Sequence, residues 1–89
     1  MIILVTYDLK APGKDYTKLY EVLKTAPTWW HYLESTWILR TDESVQAWSD
    51  KIRQVMDPND LLLVVDVTNK TRQGWLNPKA WEWLKTNDG

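Results

Sequence analysis

The chain opens on Ile2-Ile3-Leu4-Val5-Thr6, five residues that are apolar or β-branched without a break, and this run constrains the fold more than any other stretch. A strand with one wet face alternates apolar and polar side chains. An unbroken run suits a strand covered on both faces, and hence one at the centre of a sheet. The run passes through Tyr7 to a carboxylate, Asp8, and then to Lys10-Ala11-Pro12-Gly13, whose backbone restrictions close the strand and open a loop. A buried strand that delivers an acidic side chain to a sheet end is a candidate place for chemistry. In the plainer reading Asp8 accepts N–H bonds from its own loop.

Downstream the apolar period alternates between helical and extended. Asp15 is placed to cap a helix, and Tyr16, Leu19, Tyr20 and Leu23 recur at i, i+3, i+4 and i+7 as a single stripe. That helix should end near Thr25-Ala26, because Pro27 disfavours helical geometry in the residue before it. From Thr28 to Thr41 the sequence is aromatic and β-branched, too long for one strand, and divides near Leu33-Glu34-Ser35 into a hairpin. Alternation then puts Trp29, His31 and Leu33 opposite Trp30 and Tyr32, and Trp37 and Leu39 opposite Ile38 and Arg40. Thr41 to Ser44 offers a capping hydroxyl with Asp42 and Glu43 in the first turn of a second helix, carrying Val45, Trp48, Ile52, Val55 and Met56 and stopping at Asp57-Pro58. Leu61 to Val67 is a further strand with apolar residues on both faces. Asn77-Pro78 then starts a short helix bearing Ala80, Trp81, Trp83 and Leu84.

The order strand, helix, strand, strand, helix, strand, with an added C-terminal helix, predicts a single ferredoxin-like α+β domain over residues 1–89, a βαββαβ antiparallel sheet with two covering helices. Two helices cover one face only, so the tail helix or a second subunit must cover the other. The Leu61–Val67 strand falls at a sheet edge in this topology, and an apolar edge invites pairing with another chain, so a homodimer is expected. With no cysteine and one histidine, neither a disulfide framework nor a structural zinc site is available. No stretch reads as a signal peptide or a membrane span, which makes the cytoplasm the default location. A formal net charge of −1 argues against a strongly basic surface for duplex nucleic acid.

Seven Trp and four Tyr without a single Phe are unusual for 89 residues. They serve either as core in a domain short of buried area or as an exposed surface for stacking bases or pairing copies. His31 is a candidate acid, base or ligand, or a packed and hydrogen-bonded ring. Ser35 and Thr36 offer hydroxyls to a phosphate or to a turn, and Trp30 and Arg40 offer stacking and charge. Lys70 and Arg72, in a polar loop before the last helix, are further phosphate candidates.

The motifs Tyr7-Asp8-Leu9, Pro12-Gly13, Asp15-Tyr16, Leu19-Tyr20, Trp29-Trp30-His31, Leu33-Glu34-Ser35-Thr36-Trp37 and Asn59-Asp60-Leu61 cover most of the chain. Through them it resembles the small bacterial proteins labelled SinR-like, a group distinct from the helix-turn-helix repressor of that name. In fold and in the Tyr-Asp-Leu ending of the first strand, that group is similar to the ferredoxin-like protein of CRISPR adaptation and to virulence-associated protein D. The resemblance implies a ferredoxin-like homodimer associated with nucleic acid. It also implies that Asp8 is the acidic residue that two copies present to each other, where paired carboxylates could hold one Mg²⁺ for phosphodiester hydrolysis. Ser35-Thr36-Trp37 is similar to the segment opening the third strand of those relatives. The low basicity and the Trp-rich final helix depart from the adaptation protein and do not suit a DNA-bridging subunit.

Three functions are therefore expected to compete. One is a dimeric nucleic-acid-associated protein, in its strongest form a metal-dependent endonuclease on Asp8. Another is a non-catalytic binder of nucleotides or single strands through Trp29, Trp30, His31 and Arg40. The third is a structural or regulatory partner of another protein.

Overall fold

The computed structural model describes residues 1–88. Its elements run β1 (Ile2–Asp8), α1 (Thr17–Leu23), β2 (Thr28–Leu33), β3 (Thr36–Arg40), α2 (Val45–Arg53), β4 (Leu61–Asp66) and α3 (Pro78–Asn87). The strands form one sheet in the order β2-β3-β1-β4 with every neighbouring pair antiparallel, which is the ferredoxin-like arrangement. The unbroken apolar run of β1 is central, flanked by β3 and β4, as its lack of a polar face requires.

Alternation sorts the strands onto two faces. Ile3, Val5, Tyr7, Trp37 and Leu39 point toward α1 and α2, where they pack with Leu19, Leu23, Trp48, Ile52 and Met56 in the main core. Ile2, Ile38 and Trp30 point the other way and meet Ala80 and Leu84 of α3 in a second, smaller cluster. Trp83 fastens α3 to the sheet, its indole N–H donating to the Thr28 hydroxyl at 2.9 Å. The connection from β4 to α3 is tied down as well. Thr68 Oγ1 accepts from the Ile2 N–H at 2.9 Å, Arg72 is ion-paired with Asp88, and Asp88 also accepts from the Asn69 N–H at 2.7 Å. Arg72, expected as a phosphate ligand, is thus engaged within the chain, while Trp75 of the same connection stands fully in solvent.

The helix starts differ in detail from expectation. Asp15 accepts from the Thr17 N–H at 2.9 Å but sits one residue before the N-cap, which is Tyr16. In α2 the cap is Ser44, whose hydroxyl accepts from the Ala47 N–H at 3.1 Å. Asp42 and Glu43 therefore precede the helix instead of occupying its first turn. Thr41 is freed for the core, where its hydroxyl accepts from the Trp48 indole N–H at 2.9 Å. The largest difference is β4, expected to be covered on both faces. Leu62 and Val64 pack on the main core, but Leu61 and Leu63 are each 59% exposed and Val65 is 39% exposed.

Candidate functional site

Cross-strand register defines what shares a face with Asp8. Asp8 pairs with Leu61, Thr6 with Leu63 and Leu4 with Val65 on one side, and Thr6 pairs with Thr36 on the other. Directly opposed residues of antiparallel strands point the same way. The open face therefore divides into two halves. One carries Ile2, Ile38 and Trp30 under α3; the other, with Asp8 at its end, carries Thr6, Thr36, Leu61 and Leu63 and is bare.

Asp8 is exposed, and its carboxylate pairs with Lys10 Nζ at 2.7 Å across one turn of loop. A pair this open is worth only about 0–1 kcal/mol and exchanges readily for another cation. The loop that carries Lys10 is fixed from beneath by Asp60, a residue without a role in the sequence reading beyond its motif. Asp60 is 5% exposed and accepts from the Lys10 N–H at 2.6 Å, the Tyr16 hydroxyl at 2.9 Å and the Asp57 N–H at 2.8 Å. Burial works against its ionisation, but these donors and the charge of Lys14 outweigh it, holding the carboxyl below the ordinary carboxylate range. A carboxylate between two predicted loops, three residues before an apolar run, is the signal that could have marked it.

The other candidate residues separate. Thr36 Oγ1 donates to Thr6 Oγ1 at 3.1 Å, and the Ser35 carbonyl accepts from the Tyr7 N–H at 3.1 Å, so both residues close the β2–β3 turn against the end of β1 near Asp8. Arg40 lies at the opposite end of β3, paired with Ile2 and Thr28. Trp30 is 3% exposed beneath α3 and lies edge-on to Tyr32 at 5.5 Å. Its buried indole N–H has no hydrogen-bond partner among the described residues.

His31 is on the other face, at the β2 edge of the sheet, where a second feature forms. Its ring stacks on Trp37 at 4.1 Å between centroids and 16° between planes. Trp29 tilts against the same Trp37 at 5.0 Å, and Tyr20 from α1 stacks behind it at 6.3 Å. Lys24, at the C-cap of α1, holds its ammonium 5.6 Å from the centre of the Trp29 ring. Tyr20, Lys24, Trp29, His31 and Trp37 together line a cleft of about 340 Å³. The sequence paired Trp29 with His31 through alternation. Tyr20, Lys24 and Trp37 were read separately, as a helix stripe, a solvated face and a strand residue, because their meeting depends on how α1 crosses the sheet.

A single chain does not assemble a metal centre: among the described residues no group of three His, Cys, Asp or Glu side chains is placed to hold an ion. Near Asp8 the further oxygen donors are the hydroxyls of Thr6 and Thr36, already bonded to each other. No described helix is long and apolar enough to cross a membrane. A scan against protein-family models and a search of curated proteins find no match for this chain.

Proposed function

We propose that this chain works as a nucleic-acid-associated homodimer, two copies meeting across the bare half of the open face so that their Asp8 carboxylates approach a common seam. The observation that carries the reading is the register that puts Asp8 on one face with the exposed Leu61, Leu63 and Val65. Large apolar side chains left in water along an unpaired edge strand favour a partner, each contributing roughly 1.5–3 kcal/mol when fully covered. The resemblance to SinR-like proteins supports both the pairing and the nucleic acid.

The endonuclease form of this reading depends on the pairing. Mg²⁺ is commonly held by one or two carboxylates and retains several waters, so two Asp8 side chains fit it where one, neutralised by Lys10, does not. Bound there, the ion would supply Lewis-acid activation of a phosphodiester. What the chain itself supplies is Asp8, held at the end of a rigid central strand and freed by release of a weak ion pair.

Sedimentation of the purified protein tests the first step. A dimer is expected, with Leu63→Lys converting it to a folded monomer; a wild-type monomer overturns the reading. Single-stranded RNA and DNA cleavage in Mg²⁺ tests the second. Asp8→Asn is expected to abolish cleavage while keeping the dimer, and cleavage that survives the change removes Asp8 from the chemistry.

A further inference from the structure

We infer that the cleft around Trp37, on the opposite face of the sheet from Asp8, binds a mononucleotide: a flat aromatic base joined to a phosphate. The site is independent of the dimer seam and does not rest on it. Its volume, about 340 Å³, is at the low end of the roughly 300–1,000 Å³ typical of small-molecule sites, which suits one nucleotide. Trp37 forms the floor, 1% exposed and already covered by the His31 ring. The rings open to a ligand are those of His31 and of Trp29, which is 37% exposed. Both belong to β2, an edge strand whose only neighbour is β3, so nothing from the sheet closes over them.

The lining selects the ligand class by three features. Aromatic walls stack any flat heterocycle and give little purchase to a sugar or an aliphatic chain. The Lys24 ammonium already occupies the space over Trp29 that a cationic ligand would seek, so the cleft repels amines and attracts an anion. His31 Nε2 lies 2.9 Å from the Glu34 carbonyl, which can only accept, so Nε2 carries the proton and neutral Nδ1 is an acceptor. An acceptor beside a stacking surface suits a base with an exocyclic amino group, adenine or cytosine.

Calorimetric titration with adenosine monophosphate, adenosine, inorganic phosphate and a short single-stranded oligonucleotide tests the inference. Adenosine monophosphate is expected to bind more tightly than adenosine, and phosphate alone not to bind. Trp29→Ala should weaken the nucleotide by roughly 5- to 150-fold, the range of one lost base stack. Lys24→Gln should weaken it by about tenfold, the scale of one charge-assisted hydrogen bond, and leave adenosine unchanged. Both side chains are exposed, so each variant is expected to keep the wild-type circular dichroism. Absence of nucleotide binding, or wild-type affinity in a folded Trp29→Ala protein, overturns the site. An affinity that climbs with oligonucleotide length beyond that of the mononucleotide overturns the choice of ligand.

Discussion

The two faces of this sheet come from the same four strands, yet one is finished within the chain and the other is not. On the helix face each buried indole has a partner: Trp37 donates to the Tyr7 hydroxyl at 3.0 Å and Trp48 to the Thr41 hydroxyl at 2.9 Å. Two helices close that face, and only the β2 edge, with its aromatic cleft, reaches solvent. On the open face the single helix α3 has ten residues, roughly 15 Å of length, and covers one corner. Beneath it Trp30 is buried with an unpaired N–H, and beyond it Leu61 and Leu63 meet water. The contrast separates residues that hold the monomer together from residues left for something else. Substitutions on the two faces should therefore report different quantities.

The largest effect is expected from Trp48→Ala. It removes a fully buried indole from the main core and leaves the Thr41 hydroxyl without its donor. Truncations of this size cost about 3–5 kcal/mol, which urea titration would read as a large fall in midpoint. Leu63→Ala, on the bare half, should move the unfolding of a dilute monomer by no more than about 0.5 kcal/mol. Equal losses at the two positions would break the comparison, because they would make the bare half part of the monomer's own stability.

Asp60→Ala comes next, at roughly 1.5–3 kcal/mol, since it strips a buried carboxylate from the Lys10 and Asp57 N–H groups and the Tyr16 hydroxyl. The direction with pH follows from its lowered folded pKa. In the folded state the carboxyl binds protons less readily than in the unfolded chain. Its stabilisation is therefore complete above the unfolded carboxylate pKa of about 3.9 and is lost as pH falls through the lower folded value. Acid titration of the wild type should show a loss of stability below about pH 4 that is absent in Asp60→Ala. Identical acid profiles would mean that Asp60 does not fasten the Lys10 loop.

Much of this division was legible in the sequence, and its limits are physical. The unbroken Ile2–Thr6 run specified a central strand because only a doubly covered strand tolerates it. The alternation of Trp29, Trp30 and His31 separated the cleft residues from the one beneath α3. The β4 run read as equally apolar on both faces, and pattern alone cannot tell a face buried within the chain from one left bare; that depends on where a ten-residue helix comes to rest. Thr41 and Ser44 are both good caps, and the choice of Ser44 was decided by a tertiary hydrogen bond from Trp48. For the same reason the cleft was invisible as a unit: Tyr20 and Lys24 reach Trp29 and Trp37 only after α1 has packed across the sheet.

The smallest effect, and the sharpest test of the contrast between the faces, comes from a pair of matched substitutions, Trp30→Phe and Trp37→Phe. Each removes similar volume from a buried indole, so the packing losses are alike. They differ in hydrogen bonding. Trp37→Phe leaves the buried Tyr7 hydroxyl without its donor, at a cost of about 1–3 kcal/mol. Trp30→Phe removes an N–H that has no partner, and relief of that unpaired group offsets part of the packing loss, leaving a net change below about 1 kcal/mol. Denaturant midpoints of the two variants, compared at low protein concentration, measure the difference directly. A Trp30→Phe loss as large as that of Trp37→Phe would mean that the Trp30 N–H is satisfied in solution, and the open face would then be more complete than its hydrogen bonds indicate.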